Sequence, residues 1–311
     1  MSLTCPYIFF VPIYQSQIII NLPCESQTHG LTHKQKTIAD CTVILKKSYR
    51  FHENSAIAKV SHLVNQGKGE KTFQYMAPFV KSSEIVWHDL PSPNTLENDL
   101  KAIILSGFQD YLNANDVGDA NHLFNKFRIL YVLNHGTYGV HALNRLTERV
   151  LYQKKCIDPT MRWYHRQPIM ITQNNYTLKL YNGDTGLIFQ SHDPSTKQIS
   201  LRAYFFESNG KIRHFIPARL SHCETVFAMT VHKSQGSEFD DVLLILPDHP
   251  SPILTRELIY TGITRAKKRV HIWGKQSIFS WAVKKRVRRT SGLKDAINPS
   301  QTQLDLFDAL A

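Results

Sequence analysis

The stretch "FAMTVHKSQGSEFDDVLLILP", residues 227–247, joins two apolar runs by a turn crowded with polar side chains. Runs that are apolar throughout are typical of strands buried on both faces of a parallel sheet. We expect one strand over residues 225–229 and a second over residues 240–247. Between them, Thr230 is placed to cap a single helical turn, which Gly236 would end. The stretch therefore predicts an α/β fold.

The polar residues of this turn are of the kinds that bind phosphate and ribose. Thr230, His232 and Lys233 offer donors to a phosphate backbone, and Glu238 offers an acceptor to a ribose hydroxyl. Side chains at the carboxyl end of a parallel strand lie in the crevice where open α/β sheets bind ligands. The alternative is an arbitrary loop between two strands.

A second crowded stretch, "TRELIYTGITRAKKRVHIWG", covers residues 255–274. Thr255 is a plausible N-cap for a helix, and "RVHIWG" predicts the strand that follows it. Arg265 stands at the end of that helix, where its guanidinium could reach a γ-phosphate on a neighbouring domain. The alternative is a surface arginine that interacts with the negative end of the helix dipole.

Composition narrows the class of protein. The 311 residues suffice for about two domains, and the apolar fraction of 42% is ordinary for a globular chain. A net charge of +12 favours a polyanionic partner, although it could serve solubility alone. Five widely spaced cysteines without a C-x-x-C pair indicate free thiols in a reducing compartment such as the cytoplasm, and no structural metal.

The pattern divides the chain into four regions. Residues 1–40 form a poorly patterned lead-in whose apolar stretch is broken by Pro12 and polar residues, so we expect no membrane segment there. Two short buried strands, or a segment without its usual packing partner, are the alternatives. Residues 41–160 and 221–293 alternate helix and strand patterns and predict one discontinuous α/β domain. Four short β-type runs with turn signals over residues 161–220 predict a small inserted β-barrel. Residues 294–311 form a C-terminal tail.

Three segments resemble, in order, the motifs of superfamily 1 helicases. "LKKSYRF" resembles motif IV, "TVHKSQGSEF" motif V and "ELIYTGITRAKKRV" motif VI. The phrases "FRILYVLNHGTYGVHALNRLTERVL", "MRWYHRQPIMIT" and "LYNGDTGLIF" are also similar to the RecD family. Members of that family are the alpha chains of exodeoxyribonuclease V, which are 5′-to-3′ DNA helicases. The resemblance covers about residues 39–293, which is most of the chain.

The resemblance implies roles at a nucleotide. Tyr49 would stack on the adenine of ATP, and Arg50 and Arg265 would both face the γ-phosphate. Gln235 and Gly236 would lie near the nucleotide cleft. Glu238 would meet a nucleotide ribose or the DNA.

The resemblance also implies a fold, a nucleic-acid track and partners. The fold would be a RecA-like motor domain of the P-loop NTPase type, with an SH3-like barrel inserted over residues 161–220. Thr230, His232 and Lys233 would contact the backbone of single-stranded DNA, and the barrel would lie against that strand. The implied protein partners are RecB- and RecC-like subunits, acting in recombinational repair of double-strand breaks.

The chain departs from the family at the phosphate loop. The motif G-x-x-x-x-G-K-S/T is absent, and "NQGKGEKTF" carries Gln66 where the first glycine should stand. No apolar strand ends in the acid pair that would hold Mg²⁺. We expect residues 67–72 to form a polar turn instead. The family uses ATP and Mg²⁺, but this chain would contribute only part of the ATP site and no Mg²⁺ ligand.

The sequence therefore resembles the C-terminal half of a motor whose N-terminal motor domain is missing, and it predicts no ATPase activity for the chain alone. Three interpretations stay open. The chain could be a truncated or split helicase subunit that works with a partner supplying the phosphate loop. It could be a non-catalytic DNA-binding module, or a remnant of a disrupted helicase gene.

Overall fold

The computed structural model describes residues 10–13, 16–19, 43–44, 51, 55–76, 84–134, 136, 138–192, 198–207 and 209–287. The chain divides into two compact units, residues 1–51 with 287–311, and residues 52–286. In the first unit, strands β1 (Phe10–Ile13), β2 (Ser16–Ile19) and β3 (Val43–Ile44) form an antiparallel sheet in that order. Short strands, one of the two alternatives for the lead-in, are thus present. Tyr49 and Arg50 lie outside the described residues.

The second unit contains the remaining helices and strands. In chain order they are α1 (Ala56–Asn65), α2 (Gly69–Met76), β4 (Ile85–Asp89), α3 (Leu96–Asn113), α4 (Val117–Phe124), β5 (Phe127–Tyr131), α5 (Val140–Gln153), β6 (Gln167–Ile171), β7 (Thr185–His192), β8 (Ile199–Phe206), β9 (Ile212–Phe215), β10 (Cys223–Thr225), β11 (Ala228–Thr230), β12 (Phe239–Ile245), α6 (Arg256–Ile263), β13 (Ala266–Gly274) and α7 (Gln276–Lys284). A short 3₁₀ turn, Pro217–Arg219, precedes β10. Among the described residues, no helix has both the length and the apolar character that crossing a bilayer requires.

A five-stranded parallel sheet lies at the centre of the second unit, in the order β11-β5-β12-β13-β4. Every neighbouring pair in it is parallel. The central strand β5 is buried at all five positions, and the last four residues of β12 are apolar and buried. The predicted α/β fold with a parallel sheet is confirmed.

Helices cover both faces of this sheet. The Phe127 side chain of β5 lies against Gly107 of α3, where a Cβ would stand only 2.4 Å from the ring. The Leu244 side chain of β12 lies against Gly262 of α6, with 2.9 Å to a built Cβ. Leu244 is level with Leu130, so strand alternation directs it to the face opposite Phe127. Helices therefore pack on both sides, and at these two glycines close approach to the sheet leaves no room for a side chain.

A second, antiparallel sheet follows the order β10-β6-β7-β8-β9. The four β-type runs read from the sequence are its strands β6 to β9. It has its own apolar cluster, which includes Ile169, Ile188 and Phe205. The sheet is a separate small core beside the parallel one.

One predicted strand is wrong. Residues 225–229 do not form a single strand, because Thr225 ends β10 in the antiparallel sheet and Ala228 begins β11 in the parallel sheet. Between them the Val226 N–H donates to Pro168 O at 3.0 Å, while the Val226 carbonyl accepts from the Arg128 guanidinium at 2.8 Å. Both sheets bury apolar side chains, so hydropathy does not reveal where the chain passes from one to the other.

The first two helices, α1 and α2, precede β4, and α2 replaces a predicted turn. Helix α1 begins after Ser55, and the Glu84 carboxylate accepts from the N–H groups of Ala56 (2.7 Å) and Ile57 (3.3 Å). Gly67, with φ of +75°, follows the C-cap residue Gln66. The polar turn expected over residues 67–72 is wrong from residue 69 onward. Gly69–Met76 is α2, stabilised by burial of its residues Gly69, Thr72 and Met76.

Candidate phosphate and nucleic-acid site

The connecting turn, residues 230–238, is a short helical segment between β11 and β12. Thr230 Oγ1 accepts from the Lys233 N–H at 3.2 Å, and the Thr230 carbonyl accepts from the Ser234 N–H at 3.1 Å. Gly236 then adopts a φ of +86°, which reverses the chain. The predicted single helical turn, capped by Thr230 and ended by Gly236, is confirmed. Thr230 is buried, so its hydroxyl serves the cap.

The two ends of the connecting turn lie at opposite edges of the parallel sheet. Thr230 is level with Tyr131 at the carboxyl end of β5, whereas Phe239 precedes the residue that is level with Phe127 at the amino end. The expectation that the whole turn lies at the carboxyl edge therefore holds only for its beginning. Ser237 and Glu238 lie at the amino edge, and so does Arg265, which directly precedes β13.

Arg265 joins the helix end to the connecting turn. Its Nε donates to the Thr261 carbonyl at 3.2 Å and its Nη1 donates to the Ser237 carbonyl at 3.0 Å. The side chain is buried, and the guanidinium is therefore held in one orientation between α6 and the turn. Arg265 therefore meets the connecting turn at Ser237, the residue after Gly236. That Arg50 and Arg265 both face one γ-phosphate stays a prediction, because Arg50 lies outside the described residues.

The other residues predicted to line the nucleotide cleft surround this junction. Gln235 and Gly236 are exposed, and Glu238 is half-buried with its Oε2 at 3.8 Å from Lys267 Nζ. Thr255 precedes α6 as its N-cap, but its side chain makes no capping hydrogen bond.

The residues predicted to contact DNA lie at the start of the turn. His232 is exposed. Lys233 Nζ donates to Glu224 Oε1 at 2.9 Å, and Glu224 Oε2 lies 3.8 Å from His141 Nδ1. Glu224 belongs to β10 of the antiparallel sheet, and His141 to the first turn of α5. A carboxylate thus lies between two side chains that can carry positive charge.

A polar stripe on α5, made of His141, Asn144 and Glu148, holds the segment that passes between the two sheets. Asn144 donates from Nδ2 to the Ala228 carbonyl at 2.9 Å and accepts from the Ala228 N–H at 2.8 Å. Glu148 Oε1 accepts from Thr225 Oγ1 at 3.2 Å and from the Tyr164 hydroxyl at 2.6 Å. The spacing i, i+3, i+7 puts the three residues on one helix face. The stripe fixes the backbone on both sides of the sheet crossing.

A buried arginine supports the same crossing. Arg128 lies on β5, and its guanidinium stands 3.8 Å from the centre of the Phe124 ring. Burial lowers the pKa of Arg128 to about 9, so the side chain is still charged at neutral pH. Its hydrogen bond to the Val226 carbonyl therefore joins a buried charge to the chain between the sheets.

Sequence reasoning missed Glu224, His141 and Asn144. An acidic residue at the start of an apolar run is a signal for Glu224, since a carboxylate there needs a partner. The spacing of His141, Asn144 and Glu148 within an amphipathic helix is a signal for the polar stripe.

The solved structures to which this chain is similar include Pif1 helicases. The Pif1 helicase from Bacteroides, in complex with ADP-AlF3 and ssDNA, is 13% identical, with a TM-score of 0.40 over 84% of this chain and 57% of that one. The Pif1 helicase from Candida albicans gives a TM-score of 0.34 at 13% identity, over 67% of this chain and 59% of that one. TM-scores this low support no assignment of fold or function.

Sequence relatives give a clearer result. Residues 225–273 match the UvrD-like helicase C-terminal domain. The RecBCD enzyme subunit RecD of Haemophilus influenzae is 30% identical over 281 residues, which are 82% of this chain and 41% of that subunit. The RecD subunit of Mycolicibacterium smegmatis is 32% identical, over 82% of this chain and 44% of its own length. The ATP-dependent RecD2 DNA helicase of Deinococcus radiodurans is 28% identical, over 42% of this chain and 17% of its own.

The similarity to the RecD subunits covers only part of their length. The chain spans about two fifths of the length of the RecD subunits it resembles. The part that matches a family model contains both the connecting turn and Arg265. The chain is therefore similar to the RecD subunits over about two fifths of their length, and its residues 225–273 match the UvrD-like helicase C-terminal domain.

Proposed function

We propose that this chain forms the arginine-bearing half of a RecD-like, ATP-driven 5′-to-3′ DNA helicase that acts in recombinational double-strand-break repair. The resemblance implies a motor in which ATP binds between two motor domains, and closure of that cleft moves the domains along single-stranded DNA. In this assignment the chain works with a motor domain that supplies the phosphate loop and with RecB- and RecC-like subunits.

The position of Arg265 carries the proposal. Two carbonyl groups, from Thr261 and Ser237, fix a buried guanidinium where the motif V-like and motif VI-like segments meet. A guanidinium fixed in advance can neutralise the charge that develops on a transferring γ-phosphoryl group without reorganising. Gln235, Gly236 and Glu238 are the neighbouring residues we propose for nucleotide contacts. Tyr49 and Arg50 keep their proposed adenine and γ-phosphate roles.

The DNA track is proposed at the other end of the connecting turn. His232 is exposed there, and Lys233 presents an ammonium group on the same turn, beside the Thr230 cap. We further propose that the antiparallel sheet is the SH3-like barrel of the family and that it lies against the single-stranded DNA. The net charge of +12 suits a phosphate backbone.

The ATP site of this chain is incomplete in our proposal. Arg265 fits a γ-phosphate, but the described residues contain no cluster of three or more His, Cys, Asp or Glu that could hold a metal ion. The resemblance implies that the Mg²⁺ ligands of the family come from the N-terminal motor domain. The chain would hydrolyse ATP only beside a domain that carries G-x-x-x-x-G-K-S/T.

Reconstitution tests this function. The chain is mixed with a separately produced N-terminal motor domain of a RecD relative, and phosphate release from ATP is measured with and without single-stranded DNA. We expect DNA-stimulated hydrolysis that Arg265→Ala lowers by roughly a thousandfold, the lower range for an arginine finger. Arg145→Ala, on the exposed face of α5, is the matched control. Unchanged hydrolysis in the Arg265 variant would refute the role of this arginine.

A further inference from the structure

We infer that Lys233 and His141 form a phosphate-binding subsite, and that the Glu224 carboxylate occupies it when no phosphate is bound. The inference rests on the proposed function, since the phosphate is assigned to a nucleic-acid backbone. It adds His141 to the ligands predicted from the sequence and gives Glu224 the role of a competitor.

The geometry is that of an anion that accepts a hydrogen bond from one side chain and lies near a second. Glu224 Oε1 lies 2.9 Å from Lys233 Nζ, and Glu224 Oε2 lies 3.8 Å from His141 Nδ1. The two carboxylate oxygens thus meet two different side chains, as two oxygens of one phosphate group would. The side chains of Lys233 and Glu224 are 30% and 27% exposed, so a ligand from solvent can reach the pair.

The three side chains come from separately anchored backbone segments. The Lys233 N–H is bound to the Thr230 cap, and His141 lies on α5, which Asn144 ties to Ala228. Thr225, the neighbour of Glu224, is tied to Glu148 of the same helix. Rotation of the Glu224 side chain is therefore enough to open the subsite, while the backbone around it stays in place.

The free energies of the two interactions favour exchange of the Glu224 carboxylate for a phosphate group. A partly exposed lysine–carboxylate pair contributes little to stability, because both charges are also well solvated when apart. A phosphate group of a nucleic acid brings its own charge, and the neighbouring phosphates of the same backbone make further contacts with the protein. Such a phosphate can therefore displace Glu224 from Lys233. Glu224 then lowers the affinity for nucleic acid without abolishing it.

Variants separate this competition from a general charge effect. Fluorescence anisotropy of a labelled oligothymidylate measures affinity for the full chain and for Glu224→Gln, Lys233→Gln, His141→Gln and the Glu224→Gln/Lys233→Gln double variant. The control is Glu97→Gln, which removes an equal charge from a similarly exposed ion pair, that with Arg149. Relative to this control, we expect Glu224→Gln to bind roughly two- to fivefold more tightly, the equivalent of one surface ion pair.

The other variants decide the assignment. Lys233→Gln and His141→Gln should bind more weakly than the unmodified chain, and the gain from Glu224→Gln should vanish in the double variant. Weaker binding by Glu224→Gln would overturn the inference, because Glu224 would then position Lys233 for the strand. A gain that equals the Glu97→Gln control, or that survives in the double variant, would also overturn it.

Two further titrations identify which kind of phosphate the subsite binds. Inorganic phosphate and ATP are titrated into the same variants and their binding is followed by calorimetry. Tighter binding of either one in Glu224→Gln, with unchanged oligothymidylate affinity, would overturn the backbone assignment in favour of a free phosphate or nucleotide. If even the unmodified chain and the Glu97→Gln control fail to bind oligothymidylate, the proposed DNA-binding function fails together with the backbone assignment. If Glu224→Gln binds oligothymidylate as tightly as the unmodified chain, the subsite is refuted, while the proposed DNA-binding function still stands.

Discussion

At the scale of the residue, Gly236 shows how one backbone angle shapes the connecting turn. Its φ of +86° is accessible to glycine but strained for other residues, and a Cβ built there meets nothing within 4 Å. We predict that Gly236→Ala lowers the free energy of unfolding by about 1 kcal/mol, through backbone strain alone. Urea denaturation measures this change. Gly236→Asn should lose less, because asparagine tolerates the left-handed region better, and equal stability of the alanine variant and the unmodified chain would contradict the argument.

The residues of the candidate site differ in how far sequence could place them. The turn that ends at Gly236 and the helix end before Arg265 are predicted from sequence, because a cap, a glycine and a helix end are local signals that need no knowledge of distant contacts. The nucleotide roles of these two residues stay predictions. The Glu224–Lys233 pair was not foreseen, because it depends on β10 leaving one sheet immediately before β11 enters the other. Such a pair follows from tertiary structure, which local patterns do not encode.

At the scale of the element, the edge strand β11 depends on a side chain in place of a neighbouring strand. β11 lies at the edge of the parallel sheet, and Asn144 of α5 supplies both a donor and an acceptor to Ala228. We predict that Asn144→Leu lowers the free energy of unfolding by roughly 2–4 kcal/mol, because a buried N–H and a buried carbonyl both lose their partners.

A second variant at residue 144 separates the loss of the donor from the loss of the acceptor. Asn144→Asp keeps the acceptor for the Ala228 N–H and loses only the donor, at the expense of a buried charge. Denaturant unfolding of the two variants should therefore show a loss in each, since neither residue restores both bonds. A neutral effect of Asn144→Leu would show that the edge strand does not need these two bonds.

Strands β4 and β13 carry a pair of histidines whose titration should affect stability. His88 Nε2 and His271 Nδ1 lie 3.2 Å apart on these adjacent strands. Burial, together with the neighbouring His88 and Arg269, lowers the pKa of His271 to about 4. In the unfolded chain a histidine titrates near pH 6.5. Between those values the unfolded chain binds a proton that the folded chain excludes, so stability is lost as the pH falls from about 6.5 to 4.

The size of this loss follows from the shift, reduced because the pair is partly exposed to solvent. We predict that His271 contributes on the order of 1–2 kcal/mol to the pH dependence of unfolding in this window. Thermal or urea unfolding at several pH values should show a flatter curve for His271→Gln. His249→Gln, at an exposed histidine, is the control. A curve for His271→Gln that runs parallel to that of the unmodified chain would contradict the prediction.

Elements were largely predictable from hydropathy and caps, whereas their assignment to sheets was not. The sequence predicts the runs that form β6 to β9 and the helix that follows Thr255, because strand alternation and helix caps are local signals. The helix at Gly69–Met76 was mistaken for a polar turn, since its polar residues hide a short buried stripe. Burial of that stripe against other helices decides its structure, and this is a tertiary effect.

At the scale of the whole molecule, the charge of the chain favours DNA binding, whereas its lack of a phosphate loop argues against ATP hydrolysis. Its net charge of +12 and its motif V-like turn favour binding to a phosphate backbone. Its sequence contains no G-x-x-x-x-G-K-S/T, so the lysine that would neutralise the β- and γ-phosphates of ATP is not supplied by these residues. Binding to a strand and hydrolysis of ATP should therefore separate in this chain.

We predict that the 311-residue chain alone binds single-stranded DNA but does not hydrolyse ATP. If about four phosphates are contacted, the logarithm of the binding constant should fall with the logarithm of salt concentration with a slope of about −3, because counterions are released from the strand. Lys233→Gln should reduce this slope by somewhat less than one. Anisotropy over a salt series and a phosphate-release assay with Mg²⁺ and DNA are the measurements. Hydrolysis by the chain alone that Arg265→Ala abolishes would contradict the prediction, since it would require a complete ATP site within these residues.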